Sequence, residues 1–451
     1  MGSQGSIYWK MINKLRTKIK QNKLLISLFL IGLLLRLFFS VQIYSGDVNN
    51  HIGWAKDALS SGFTGIYGRS FEKYGVMTPT YPPIPLFFFT FFYWLFTVVY
   101  SVALKLNLGI KIFPSGLIWF LEDQDIMPAF LKIPAILADL GIAYLVFLFF
   151  TKILGKNSKK WPIIGFSLVL FNPAFFYNSA FWGQIESVPL FFILTSFYCL
   201  FFKESWRSVI ILTLAILTKQ TVIIFLPLFA FIYYQKYGFK RSLRGVFLFL
   251  LIFCLFFLPF CQKEGWLTFP FLTYWNKIQT GSGSNYVTDH AFNFWALTTG
   301  LGKISDGKPF WLGLSYSIWG NLLFGSILII IFTRLLIRRK VKTRDYLFAA
   351  ALIPFAAFLF LTRMHERYLE TALPFLLLLN GKKRFYLFSF LFISFFYLVN
   401  LYHNWWFPNS LILKNILSNL VVIRGLIILL ISVFGLLLVK YYQGEPKDEA
   451  N

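Results

Sequence analysis

Few side chains in this sequence are equipped for chemistry, and the first group of them lies in a polar stretch, Ser45 to Pro85, that interrupts a strongly apolar chain. The stretch holds Gly46-Asp47, an amphipathic patch to Gly62, and the run Thr80-Tyr81-Pro82-Pro83. A helix beginning at Asp47 would carry Asp47, His51, Trp54 and Ala58 on one face, because offsets of four, seven and eleven residues follow the 3.6-residue period. A carboxylate and an imidazole on a shared surface can move protons. The same residues also fit a plainer arrangement, with Asp47 capping an interfacial helix and Trp54 anchoring it in a membrane belt. From these residues alone both readings stand open.

The elements that must position them are membrane helices. Hydrophobic residues make up 57% of the 451, aromatics 21% with 57 Phe, and charged residues only 14%, which excludes an ordinary soluble domain. Many apolar runs approach or exceed the roughly 20 residues that span a bilayer as a helix. No long polar stretch suggests a separate soluble domain, so residues 1–451 read as one integral membrane domain, all-α and polytopic, with about twelve and up to fourteen spans. The formal net charge of +25 sits in short connectors between apolar runs, so it reports topology and not a nucleic-acid partner. Cys199, Cys254 and Cys261 lie in apolar runs and read as small core residues. The run Leu24 to Tyr44 follows basic residues 10–23 without a small-residue cleavage site and reads as a retained helix.

Basic connectors belong on the cytoplasmic side. With residues 1–23 inside, the first run emerges near Tyr44, and the segment 45–83 becomes the first extracytoplasmic loop, with amphipathic helices. The basic connector 152–160 then fits inside if Ile84 to Leu104 lies along or re-enters the membrane, or if Ile112 to Leu121 returns the chain. Pro114 and the acidic run 122–125 leave little apolar length for a return and favour the first. Every later connector follows in register: Lys203, 236–244, 338–344 and 382–384 inside, and the tail 441–451 inside. A second extracytoplasmic loop, 262–308, has a Gly-Ser-Gly-Ser tip at 281–284 that gives it a flexible centre.

This topology gathers Asp47, His51, Glu186, Lys219, Gln220, Asp289, His290, Arg363, His365, Glu366 and Arg367 on one side. Cations at outer helix ends run against the usual charge bias, so the partner of Arg363, His365, Arg367 and Lys219 is expected to be an anion. Arg363 and Arg367, one helical turn apart, could grip a phosphate, or each could snorkel to lipid headgroups. Glu186 is either a second acid or the cap of the helix that follows. Asp47, His51 and Glu186 could together ligate a divalent cation, although the spacing matches no strong motif and no cofactor is required. Asp139 lies inside a span and calls for a cation such as Lys132 or Lys219. His403, beside Trp405 and Trp406, reads as an interface anchor.

In this order the motifs resemble the GT-C glycosyltransferases, and more narrowly the dolichyl-phosphate-glucose glucosyltransferases of the N-glycan pathway and their bacterial relatives. Gly46-Asp47 with Trp54 is similar to the family's first-loop acid and aromatic helix, and Thr80-Tyr81-Pro82-Pro83 to its Asp-Tyr-Pro-Pro turn. Leu137-Ala138-Asp139-Leu140, Phe176-Tyr177-Asn178, Lys219-Gln220, Ala291-Phe292-Asn293-Phe294-Trp295 and His365-Glu366-Arg367 resemble further family segments. Trp182-Gly183-Gln184-Ile185-Glu186 looks more like the bacterial relatives, some of them mannosyltransferases, and Thr288-Asp289-His290 departs from the family's more acidic approach to Asn-Phe-Trp.

The resemblance implies a GT-C fold and transfer of glucose or mannose, with inversion, from a polyprenyl or dolichyl phosphate to a hydroxyl of a lipid-linked or envelope glycan. It implies Asp47 as general base, Lys219, Arg363, His365 and Arg367 on the donor phosphate, and His51, Trp54, Tyr81, Asn178, Gln184, Glu186, Gln220, Asn293, Trp295 and Glu366 as candidate substrate contacts. The expected setting is a bacterial or archaeal plasma membrane, or the endoplasmic reticulum, with the site extracytoplasmic or lumenal. A lipid-linked sugar flippase and a polysaccharide polymerase or ligase are the alternatives. No clear internal repeat supports the flippase, and the acid-bearing first loop favours the transferase.

Overall fold

The computed structural model describes residues 23–155, 160–262, 265–279, 285–338, 340–380 and 384–444. The basic N-terminus 1–22, the connector residues 156–159, the Gly-Ser tip 281–284, residues 381–383 and the tail from 445 lie outside the described residues.

Among the described residues, nine helices are long and apolar enough to cross a membrane, and two shorter apolar ones, Ser187–Phe202 and Ser205–Ile216, stand beside them. The nine include α1 (Lys23–Ser40), α3 (Pro83–Gly109) and α5 (Ile126–Leu154), with α2 (Gly46–Ser61) and α4 (Ser115–Glu122) in the polar loops between. The protein is therefore an all-α polytopic bundle. Thr343–Phe360 and Ile126–Leu154 are its centre, 72% and 61% buried. Lys23–Ser40, Pro83–Gly109 and Tyr316–Ile337 are peripheral at 17%, their apolar faces turned outward as a lipid-facing helix requires. The segment Gln220–Phe260 is too long for one span, and Gly238, at φ 74°, breaks it into two legs, because the left-handed region that glycine enters freely interrupts a helix.

Hydrogen bonds between connectors sort the helix ends into two layers. Ser45 N donates to Trp182 O at 3.1 Å, Ile84 N to Leu217 O at 3.1 Å, Gly65 N to Phe260 O at 3.0 Å and Asp289 N to Met364 O at 3.0 Å, which gathers these turns at one end. At the opposite end Lys236 Nζ donates to Leu200 O at 2.7 Å and Arg344 Nη2 to Leu379 O at 2.7 Å. The alternation of the two layers along the chain agrees with the order expected from the basic connectors.

Helix α3 is the exception to this alternation. At 27 residues it is long enough to cross, about 40 Å at 1.5 Å per residue. Yet its first turn is bonded to Leu217, while Phe96, Tyr100, Ala103 and Leu104 pack against Val41, Ile126 and Phe130 at the same end of the bundle. Tyr100 OH also donates to Glu122 Oε1 at 2.7 Å. Both ends of α3 thus stay in one layer, and the helix lies along that end of the bundle instead of running its length.

Beneath that end is a buried polar knot. Arg36 Nε donates to Asp139 Oδ2 at 2.8 Å with both side chains fully buried, and the Ser179 and Ser187 hydroxyls lie at 2.6 and 2.5 Å from the Asp139 oxygens. The expected cation partners of Asp139 were Lys132 or Lys219, and the structure corrects this to Arg36. The Lys132 ammonium instead ties the loop turns together, donating to Ser40 O at 2.8 Å, Phe181 O at 3.2 Å and also to Ile43 O.

Candidate functional site

Helix α2 begins at Gly46 with Ser45 in the capping position, so Asp47 sits in its first turn and is not its cap. His51, Trp54 and Ala58 are enclosed, and so are Val48, Ile52, Ala55 and Asp57, so α2 is buried around most of its circumference. The His51 ring stacks on Phe89 at 4.0 Å and 12°, and Trp54 Nε1 donates to Met77 O at 2.6 Å, which fixes both rings. Behind Asp47 stands the turn after a π-helical segment, Tyr177–Trp182, that Gly183 closes at φ 90°. That turn aims Gln184 at α2, where its Nε2 donates to Asp47 Oδ2 at 2.5 Å.

Two further turns complete the site. Lys219 follows Ser205–Ile216, and Glu186 Oε1 accepts from Lys219 Nζ and from Arg367 Nε, the latter at 2.9 Å. Arg367 Nη1 donates to Glu366 Oε1 at 2.9 Å. The Lys219 ammonium lies 5.3 Å from the Tyr81 ring and 5.3 Å from the Tyr368 ring, held between two aromatic faces. A cavity of about 350 Å³ is lined by Asp47, His51, Trp54, Tyr81, Lys219, Gln220, His365 and Arg367, together with Asn50, Thr80, Asp289 and Tyr368.

Burial raises the Asp47 carboxyl, but the Arg367 charge, the Gln184 hydrogen bond, and the His51 and Lys219 charges outweigh it and hold Asp47 below its usual value. Glu186 is likewise pushed up by burial and brought down further by Lys219 and Arg367. Burial lowers His51 to about 4, against the pull of Asp47, so the imidazole is neutral at pH 7. His365 is lowered by burial and by the Arg367 and Lys219 charges, and it too is neutral. The cavity therefore brings an ionised base, two cations and two neutral imidazoles together.

Several expected contacts lie elsewhere. Arg363 was paired with Arg367 on helical spacing, but residues 361–365 are not helical and Arg363 has φ 61°, which turns its side chain away from Arg367. Its guanidinium bonds Asp306 through Nε at 2.8 Å and Nη2 at 3.2 Å, clamping the 285–306 segment to residue 363. Asn178 is fully buried and donates to Glu370 Oε2 at 2.6 Å, because the π turn swings it inward. Asn293 caps Phe294–Thr299 by accepting from Ala296 N at 3.3 Å. Trp295 is completely enclosed, with Nε1 on Phe360 O at 2.7 Å. Glu186 makes no capping hydrogen bond to the helix after it and serves as the shared counter-ion of Lys219 and Arg367. Glu366 stands behind Arg367, and burial raises its carboxyl.

Among the described residues no three His, Cys, Asp or Glu side chains are grouped as metal ligands, so Asp47, His51 and Glu186 do not form a ligand set. Tyr368, like Asn50 and Thr80, was a missed member of the site; its signal was its place directly after Arg367, where a 3-10 turn, Glu366–Ala372, sends it to the same cavity.

Gln220 and Tyr368 also line a second cavity, a groove of about 400 Å³ with Pro189, Ile224, Trp275, Pro354, Phe358 and Leu361 on its walls. The polar cavity thus adjoins a mostly apolar groove that Glu186 and Arg363 also line. No protein-family model matches the chain, and no curated protein matches it.

Proposed function

We propose that the protein is a membrane glycosyltransferase that moves a hexose from a polyprenyl phosphate to an acceptor hydroxyl, with a GT-C type of fold. The observation that carries this reading is the 350 Å³ cavity in which the Asp47 carboxylate faces Lys219 and Arg367. Transfer from a sugar phosphate needs a base for the acceptor proton and fixed positive charge for the departing phosphate. Both line the one cavity. Asp47, kept ionised by Arg367 and Gln184, takes the proton as the hydroxyl attacks the anomeric carbon, and the C–O bond to phosphate breaks on the other face. The phosphate leaves toward Lys219 and Arg367, displacing part of their contact with Glu186. Trp54, Tyr81 and Tyr368 offer flat faces to a pyranose ring.

The adjoining apolar groove suits the polyprenyl chain, which would otherwise have to be exposed beside a charged site. The far layer carries Lys236, Arg338 and Arg344, so the charge bias of membrane proteins puts that layer in the cytoplasm and the cavity on the extracytoplasmic or lumenal side. Incubating the purified chain with radiolabelled polyprenyl-phosphate glucose or mannose and a lipid-linked glycan should transfer label to the glycan. Translocation of the labelled lipid across vesicles without transfer would replace this reading with that of a flippase.

A further inference from the structure

The end of the bundle away from the active cavity contains a recess of about 450 Å³ that the proposed reaction does not use. It lies between the first leg of Gln220–Phe260, Tyr316–Ile337 and Thr343–Phe360. Its apolar wall is braced by aromatic pairs, Phe231 edge-on to Phe332 at 5.6 Å and Phe201 stacked on Tyr346 at 6.1 Å. Its polar rim is Lys236, Arg338, Gln235 and Thr343. Lys236 spends two of its three N–H groups on uncharged acceptors, Leu200 O at 2.7 Å and Phe201 O at 3.1 Å, so its charge is held in place without being neutralised. Arg338 pairs with Asp345, whose carboxylate also accepts from Lys342 N at 2.8 Å. Along the described part of 334–346 the cations are Arg334, Arg338, Lys340, Lys342 and Arg344, and Asp345 is the sole acid.

We propose that this recess binds the headgroup of an anionic phospholipid. A fixed ammonium, a guanidinium and a hydroxyl at one rim match a phosphodiester, and the Phe201, Phe231 and Leu336 wall below takes the first part of an acyl chain. A free phosphate would leave that wall unused. Leu336 is 66% exposed and so borders the lipid directly. The recess is separate from the active cavity: Tyr316–Ile337 runs from Asn321 at the groove to Leu336 here, about 22 Å along the helix.

The test is lipid retention by the purified full-length chain, read by native mass spectrometry with phosphatidylglycerol and phosphatidylcholine of the same acyl length. The wild type should keep phosphatidylglycerol in preference to phosphatidylcholine. Lys236→Gln and Arg338→Gln should each weaken phosphatidylglycerol by about fivefold and leave phosphatidylcholine unchanged. Lys236→Arg keeps the charge and should keep the preference, which separates charge from packing. Equal retention of the two lipids by the wild type, or unchanged phosphatidylglycerol affinity in folded Lys236→Gln and Arg338→Gln proteins, overturns the proposal. Displacement of the lipid by inorganic phosphate alone would identify a free-anion site and overturn it as well.

Discussion

Lys219 and Arg367 donate to the same oxygen, Oε1 of Glu186, although these residues come from three separate turns of the chain. One carboxylate therefore sets the spacing of two buried cations. Their mutual repulsion is offset chiefly by Glu186, with Glu366 beside Arg367, and a phosphate entering between them can take over part of that role.

Glu186→Gln removes the charge and keeps the shape, leaving the buried Lys219 without its carboxylate partner and Arg367 with Glu366 alone. Stability should fall by about 3 kcal/mol or more, read as a lower melting temperature in detergent. Inorganic phosphate should raise the melting temperature of the variant more than that of the wild type. Equal melting of the two proteins without phosphate would show that Glu186 is not the counter-ion that holds the pair.

Arg363 and Arg367, close in sequence, should respond differently. Arg363→Gln cuts the clamp to Asp306 on a half-exposed side chain, so amide exchange over the described residues 285–306 should quicken while stability changes by less than about 1 kcal/mol. Arg367→Gln should weaken binding of a polyprenyl-phosphate hexose by about tenfold or more, the worth of a charged hydrogen bond. An equal loss of donor affinity in the two variants would return Arg363 to the phosphate.

The contrast between those arginines shows where the sequence was legible. The 3.6-residue period correctly brought Asp47, His51 and Trp54 together, because a regular helix carries its geometry in its spacing. The basic connectors are likewise compatible with the two layers of helix ends. Residues 361–365 are an irregular turn whose positive φ at Arg363 has no marker such as glycine, so helical spacing failed there. Asn178 misled for a related reason, since the π turn that rotates it inward is invisible in an apolar run. The Glu186–Lys219 contact joins residues 33 apart, and no periodicity reports on that pairing. Arg36 could have been found: a single cation inside an apolar run calls for a buried acid, and Asp139 was waiting for one.

His51 makes stability depend on pH with a definite sign. Its folded pKa of about 4 lies below the 6.5 of an ordinary imidazole, so the unfolded chain binds a proton that the folded chain refuses. This contribution is intact above pH 6.5 and is lost as pH falls from there toward 4, to a total of about 3 kcal/mol. Unfolding free energies of the wild type and His51→Phe should therefore converge or cross as the pH is lowered through that window. Parallel curves would mean that His51 binds its proton in the fold as readily as in the unfolded chain.

The sharpest prediction concerns Asp47. Gln184 Nε2 donates to Asp47 Oδ2 at 2.5 Å, and an asparagine at 47 can present its carbonyl oxygen to the same donor, so Asp47→Asn keeps the contact between α2 and the Gln184 turn. What it removes is a carboxylate that Arg367 and Lys219 hold ionised, the group proposed to take the acceptor proton. Transfer by Asp47→Asn should fall by about a hundredfold or more, because general base catalysis is worth roughly that factor, while melting temperature and donor affinity stay near wild type. The wild-type product should carry the anomeric configuration opposite to that of the donor, as a single displacement demands. Two results would sink the assignment: undiminished transfer in the variant, which moves the base to another acid such as Asp289 of the cavity or Glu186 of the adjoining groove, or a product that retains the donor's configuration, which requires a covalent glycosyl intermediate and makes the carboxylate a nucleophile.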